Sequence, residues 1–179
     1  MIQSATPSLH LKHLALIRSP PGSSEVDVPL KIAVGFAKGS LSLISPTRGE
    51  EAAKEVRSGH CKHVYGLACH PVAKSVFATV GEDGFLCVWD VRGMVCKRRR
   101  ELFGAGKSAA FSPDGERLAV GMFDGVVLVL DFEEVVGFGG DNGGRLKTLH
   151  VIHDCEEDID DLKYSPDGKV SIEGGVSGL

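Results

Sequence analysis

No stretch of about 18 consecutive apolar residues occurs in the chain, so no helix is expected to cross a membrane. The order of a secretory leader is missing as well. The apolar stretch Leu9–Ile17 carries Lys12 and two histidines, and its leucines alternate rather than cluster. Strong charge of either sign is missing too. A formal net charge of −4 gives no basis for binding nucleic acid or a strongly anionic membrane. Paired cysteines are absent: Cys61, Cys69, Cys87, Cys96 and Cys155 stand without a C-x-x-C spacing, and an odd count argues against a disulfide framework. These absences make the cytoplasm the default expectation. What is present, 42% hydrophobic and 25% charged residues in 179, is the composition of a globular domain with a real core. The 23 glycines suit a chain full of tight turns.

The positive signal is repetition. The segments KIAVGFAKGSLSLIS (31–45), FATVGEDGFLCVWD (77–90) and LAVGMFDGVVLVLD (118–131) superpose without gaps. In each, an alanine precedes a glycine by six residues: Ala33 and Gly39, Ala78 and Gly84, Ala119 and Gly125. The alanines lie 45 and then 41 residues apart. A second element recurs out of phase, as LACHP (67–71), AAFSPDG (109–115) and LKYSPDG (162–168). A period of 40–45 residues with a GH…WD frame is the mark of a β-propeller built from four-stranded blades.

Local chemistry agrees. SVFATV and FLCVWD are short β-branched or aromatic runs bounded by turn residues. GEDG supplies a tight hairpin between them, and SPDG and HPVA read as turns between the first and second strands of a blade. Helical periodicity is weak and confined to GEEAAKEVR (49–57), which reads either as a helix or as an outermost strand or the loop leading to it. The expected fold is all-β, a partial propeller of about three blades plus one strand whose ring is not closed. Residues 1–8 read as a flexible N-terminus and 9–58 as a degenerate first blade. Residues 59–103 read as a complete blade, and 104–152 as a second with a glycine-rich insertion at 137–144. Residues 153–169 supply the first strand of a further blade, and 170–179 a truncated tail.

Several motifs invite chemistry. GAGKS (104–108) resembles the end of a phosphate-binding loop, but the first glycine of that motif should stand at 101, where Glu101 would repel phosphate. A strand and turn follow Ser108, so no helix N-terminus is expected to hold an anion. GFGGDNGG (137–144) lacks the dinucleotide-binding spacing and reads as an inserted surface loop. His60, Cys61, His63, Cys69 and His70 include zinc-ligand types, but strand alternation from Val64 to Cys69 points neighbours to opposite faces. DCEEDIDD (154–161) is rich in carboxylates without the EF-hand spacing or glycine and reads as a solvated loop. No catalytic, metal or cofactor site is therefore assigned. The run Lys97, Arg98, Arg99 and Arg100 is expected on an outer strand or loop. There it either meets an acidic partner or forms a charged edge that discourages strand pairing.

Gly59-His60 is a GH dipeptide and Trp89-Asp90 a WD dipeptide. The chain thus resembles WD-repeat proteins, and the resemblance implies a structural hydrogen-bond set of His60, Thr79, Asp83 and Trp89. The next blade has Val120 for the threonine, Leu130 for the tryptophan and no GH, but keeps Asp124 and Asp131. Hydrophobic packing must hold it.

A closer resemblance covers residues 30–169. GHCKHVYGLACHP, then FATVGEDGFLCVWD, then KSAAFSPDGERLAVGMFDGVVLVLD follow the order of the echinoderm microtubule-associated-protein-like family, with Tyr65 where tryptophan is usual. LKIAVGFAKGSLSLI and HVIHDCEEDIDDLKYSPDGK are similar to its flanking strands. The resemblance implies a non-catalytic protein-interaction scaffold associated with microtubules, located in the cytoplasm or on the cytoskeleton. The alternative is a WD-repeat adaptor serving another complex. The family's coiled coil and hydrophobic motif are not in this sequence, which therefore reads as an internal slice of such a protein. Because three-odd blades cannot close a ring, the missing blades are expected from the full-length chain or from another chain; otherwise the product is truncated and has no function of its own.

Overall fold

The computed structural model describes residues 11–17, 31–36, 41–44, 53–56, 59–73, 75–91, 95–132, 146–153 and 157–173. Every regular element among them is a strand. The first sheet runs β1 (Leu11–Ile17), β2 (Lys31–Phe36), β3 (Leu41–Ile44), β4 (Ala53–Val56), in that spatial order. The second runs β5 (Val64–Cys69), β6 (Val76–Gly81), β7 (Phe85–Asp90), β8 (Val95–Glu101). The third holds β9 (Gly106–Phe111), β10 (Arg117–Met122), β11 (Val126–Asp131) and β12 (Lys147–His153) in chain order. The fourth pairs β13 (Asp161–Tyr164) with β14 (Val170–Glu173). All pairings are antiparallel. These are open, meandering WD-type blades, and the fold class is all-β as the repeats require.

Two details depart from the sequence reading. The ambiguous stretch 49–57 contains a strand, β4, so its helical periodicity gives way to pairing with β3. The last sheet has two strands rather than one: Val170–Glu173, placed by sequence in a tail, pairs with Asp161–Tyr164. Its VSIE alternation is too short to be distinctive alone, and the preceding SPDG turn returns it alongside β13. Gly39, Cys155 and the segments 1–8, 137–144 and 174–179 lie outside the described residues.

The burial pattern explains why the repeats are so apolar. In the second and third sheets the central strands are buried on both faces, as in β6, where every residue is buried, and in β7, β10 and β11 nearly so. The outermost strands β8 and β12 are wet throughout. Such a gradient arises when sheets stack face to face, leaving only their outer margins in solvent. Val76, Ala78, Val80, Leu86 and Val88 of the second sheet form one core with Leu118, Val120, Met122, Leu128 and Leu130 of the third. A second core, between the third and fourth sheets, contains Ala119, Val127, Ile159 and Leu162. Each fully buried valine, leucine, isoleucine or methionine side chain among them contributes roughly 1.5–3 kcal/mol. The first strands β1, β5, β9 and β13 lie side by side in succession, so the sheets fan out from a shared inner margin.

Glycine permits this closeness. A Cβ on Gly66 would come within 2.9 Å of the Ser108 backbone, so β5 and β9 can approach only because residue 66 has none. The hairpin glycines Gly84 and Gly125 have φ of 74° and 76°, the left-handed region in which they cost little.

Candidate functional site

The sequence-derived quartet assembles inside the second sheet. β6 carries Thr79, the β6–β7 turn carries Asp83, β7 carries Trp89, and the segment entering β5 brings His60 over them. Trp89 Nε1–H donates to Thr79 Oγ1 at 2.7 Å. His60 Nε2 lies 2.8 Å from the same hydroxyl and His60 Nδ1 lies 2.8 Å from Asp83 Oδ1. One assignment serves every group: the indole donates to the hydroxyl, the hydroxyl to Nε2, and Nδ1–H to the carboxylate. Asp83 also accepts the Cys61 amide at 2.9 Å and the Phe85 amide at 3.3 Å, fixing the hairpin. Burial alone would raise the Asp83 carboxyl. The hydrogen bonds from His60 and Cys61 outweigh it and hold the group below its ordinary value. The His60 and Asp83 side chains are each only 1% exposed, so the set is internal.

Two glycines make room for it. A Cβ at Gly59 would meet the Trp89 ring at 2.1 Å, and one at Gly81 would meet the His63 carbonyl at 2.6 Å. Trp89 stacks on Phe77 at 5.9 Å with planes 8° apart. In the third sheet the corresponding Val120 and Leu130 are fully buried in the shared core, while Asp124 retains a turn contact to the Val126 amide at 3.4 Å.

The other candidates are dispersed. Cys61 is exposed, His63 pairs with Glu82 at 2.9 Å, and the half-buried Cys69 thiol is pushed up to about 11 by desolvation. His70 lies at the opposite end of β5, where its Nδ1 accepts the Val72 and Ala73 amides at 3.2 and 2.8 Å. Its ring sits between sheets, 4.9 Å from Phe111 and 5.4 Å from Phe132. Gly115 of the next SPDG turn has φ +80°, and a Cβ there would strike the His70 ring at 2.3 Å. The zinc-type residues therefore do not converge.

Lys107, the lysine of GAGKS, bonds Asp158 at 2.8 Å and also Asp160. Burial works to lower its pKa, but the two carboxylates more than offset that and raise it. Beside it, Ser108 Oγ donates to the Ile159 carbonyl at 2.8 Å. The acidic stretch, expected as a solvated loop, is at residues 158–160 a seam that ties the third sheet to the fourth, with Ile159 fully buried. Sequence reasoning did not join these residues, which lie 51 positions apart; a lone lysine before a strand gives no signal of its acceptor.

The basic run occupies β8, the outer strand. Lys97 and Arg99 are exposed and Arg98 and Arg100 are half-buried. Arg99 lies 3.6 Å over the Phe85 ring. Arg100 reaches across to the third blade, donating to the Leu146 carbonyl and to Thr148 Oγ1. Only part of the run is therefore turned outward.

Internal bond set, stacked four-stranded sheets and repeat spacing are together those of WD-repeat blades. The WD domain, G-beta repeat family matches residues 53–90 and 106–131, the parts of the chain holding most of the second and third sheets. Within that class the chain resembles the echinoderm microtubule-associated-protein-like proteins. It is 32% identical over 140 residues to echinoderm microtubule-associated protein-like 3 of Mus musculus, covering 77% of this chain and 14% of that protein. It is 33% identical over 110 residues to the 77 kDa echinoderm microtubule-associated protein of Lytechinus variegatus, covering 62% and 15%. It is 30% identical over 166 residues to echinoderm microtubule-associated protein-like 2 of Mus musculus, covering 87% and 24%. The chain thus spans between a seventh and a quarter of the length of these relatives. No helix among the described residues is long and apolar enough to cross a membrane.

Proposed function

We propose that the chain acts as a non-catalytic docking scaffold for microtubules, working in the cytoplasm on the cytoskeleton as part of a larger propeller assembly. The observation that carries this reading is the run of similarity to proteins named for microtubule association, which extends over 166 residues in one of them. The quartet supports the non-catalytic part. His60, Asp83 and Thr79 are bonded to one another beneath the surface, and a histidine–aspartate pair acts as a base only beside a nucleophile and a pocket. Strand β8 supports the partner. Lys97 and Arg99 are exposed on an outer margin, suited to an acidic surface such as that of tubulin.

Pelleting the chain with polymerised microtubules over a range of salt tests the proposal. Co-sedimentation that weakens as salt rises, and that falls several-fold in Lys97→Glu/Arg99→Glu, is expected. Absence of pelleting at low salt overturns the microtubule reading. Pelleting that is unchanged in the double variant keeps the partner and removes β8 as its contact.

A further inference from the structure

Among the described residues, Cys87 and Cys96 have no part in the quartet or in the seams between the second, third and fourth sheets. Both join the cluster on the Trp89 face of the second sheet, Cys87 buried and Cys96 half-buried at its outer margin. Strand register puts Arg99 opposite Cys87 and Arg98 opposite Val88, and then skips to Cys96 opposite Trp89. Lys97 is thus an extra residue in β8, a bulge that bends the strand and re-aims its side chains. The outcome is that the two thiols share one face of the strand pair, Cys96 standing diagonally across from Cys87 in the same cluster. Cys87 Sγ also lies 3.6 Å from the Gly59 carbonyl, and Cys96 Sγ lies 3.1 Å from the Arg98 carbonyl.

We propose that this pair is a peroxide-responsive modification site, in which Cys96 is oxidised first and Cys87 then closes a cross-strand disulfide. The asymmetry of the two sulfurs assigns the roles. Cys96 is the one with access to solvent, and Arg99 supplies positive charge beside both. The neighbouring Cys87 thiol, followed by the backbone at Arg98 and the charge of Arg99, lowers the Cys96 thiol against the effect of burial. The Cys96 thiol, with burial, raises Cys87 in turn. In the first step the Cys96 thiolate attacks a hydroperoxide, here hydrogen peroxide. The O–O bond breaks, Cys96 becomes a sulfenic acid and hydroxide leaves. In the second, Cys87 sulfur attacks the sulfenic sulfur; the S–O bond breaks and the oxygen departs as water with the Cys87 proton. Overall, two thiols are oxidised to one disulfide and one peroxide is reduced to two waters. The closed bridge fastens the outer strand carrying Lys97–Arg100 to β7.

The test uses the full chain, reduced, desalted and treated with hydrogen peroxide, then alkylated and digested with trypsin without reductant. Expected is a linked pair joining the peptide 75–92 to the peptide 93–97, absent from Cys96→Ser and released by dithiothreitol. The fluorescence of Trp89, the single tryptophan, is expected to fall on oxidation and to recover on reduction. In Cys87→Ala, Cys96 is expected to persist as a sulfenic acid trapped by dimedone, which separates the attacking thiol from the resolving one. The exposed Cys61 is the internal control. If Cys61 is oxidised while Cys87 and Cys96 remain alkylatable after denaturation, the proposal is wrong. It is equally wrong if Cys96 links to Cys61 or to a second chain instead.

Discussion

Asp83 is the residue on which the second blade turns, since it ties the His60 ring, the Cys61 amide and its own hairpin together. Asp83→Asn leaves that cluster with a weaker acceptor, and a loss of about 1–3 kcal/mol at neutral pH is expected from urea unfolding. The sign of the pH effect follows from the lowered folded-state value. The stability that ionised Asp83 contributes is fully present above the unfolded carboxyl value of 3.8 and is lost as pH falls through the lower folded value. The gap between wild type and variant should therefore close on acidification below about pH 4; a constant gap down to pH 2 would contradict the assignment. Gly59→Ala is expected to cost about 1–3 kcal/mol by overpacking and to red-shift the Trp89 emission, because the new methyl overlaps the indole. At this scale the sequence was informative where partners sit in short motifs at fixed offsets, as with Gly59-His60, Thr79, Asp83 and Trp89. It was silent on Cys87 and Cys96, whose meeting depends on the bulge at Lys97.

Among the elements, the inner strands β5 and β9 share an irregularity. In β5, Val64 pairs with Gly81 and Gly66 with Val80, leaving Tyr65 as an extra residue. In β9, Gly106 pairs with Met122 and Ser108 with Gly121, leaving Lys107 in the same role. Both bulged side chains meet one ring: Tyr65 lies edge-on to Phe123 at 5.0 Å and Lys107 sits 5.1 Å above it. The usual tryptophan of the resembled family is thus replaced by an aromatic that still reaches the next sheet. Lys107 also holds the fourth sheet through Asp158 and Asp160. Lys107→Met should accelerate amide exchange in β13 and β14 while leaving β6 and β7 unchanged; equal acceleration in both places would show that the clamp is not local. The central strands were readable because burial on both faces makes them nearly continuous apolar runs. Strands β4 and β14 were not, since AKEV and VSIE are short and gain their structure from neighbours already in place.

For the molecule as a whole, the second, third and fourth sheets are joined by shared cores. Val80 and Val88 of the second sheet and Val120 and Leu130 of the third belong to a single cluster, and the His70, Phe111 and Phe132 rings continue the contact at one end. Replacing the polar pair of one blade by Val120 and Leu130 in the next is then no loss, because those positions face a hydrophobic neighbour. An inter-sheet core also sets the rule for the scaffold: each blade is stable to the extent that the next one covers it. Residue-resolved amide hydrogen exchange across a denaturant series tests that rule most directly. The account predicts that β6–β7 and β10–β11 are the slowest to exchange and open together with one free energy, ahead of which β8 and β12 exchange alone. Separate opening of the two strand pairs, with β10–β11 lost while β6–β7 keeps its full protection, would contradict it.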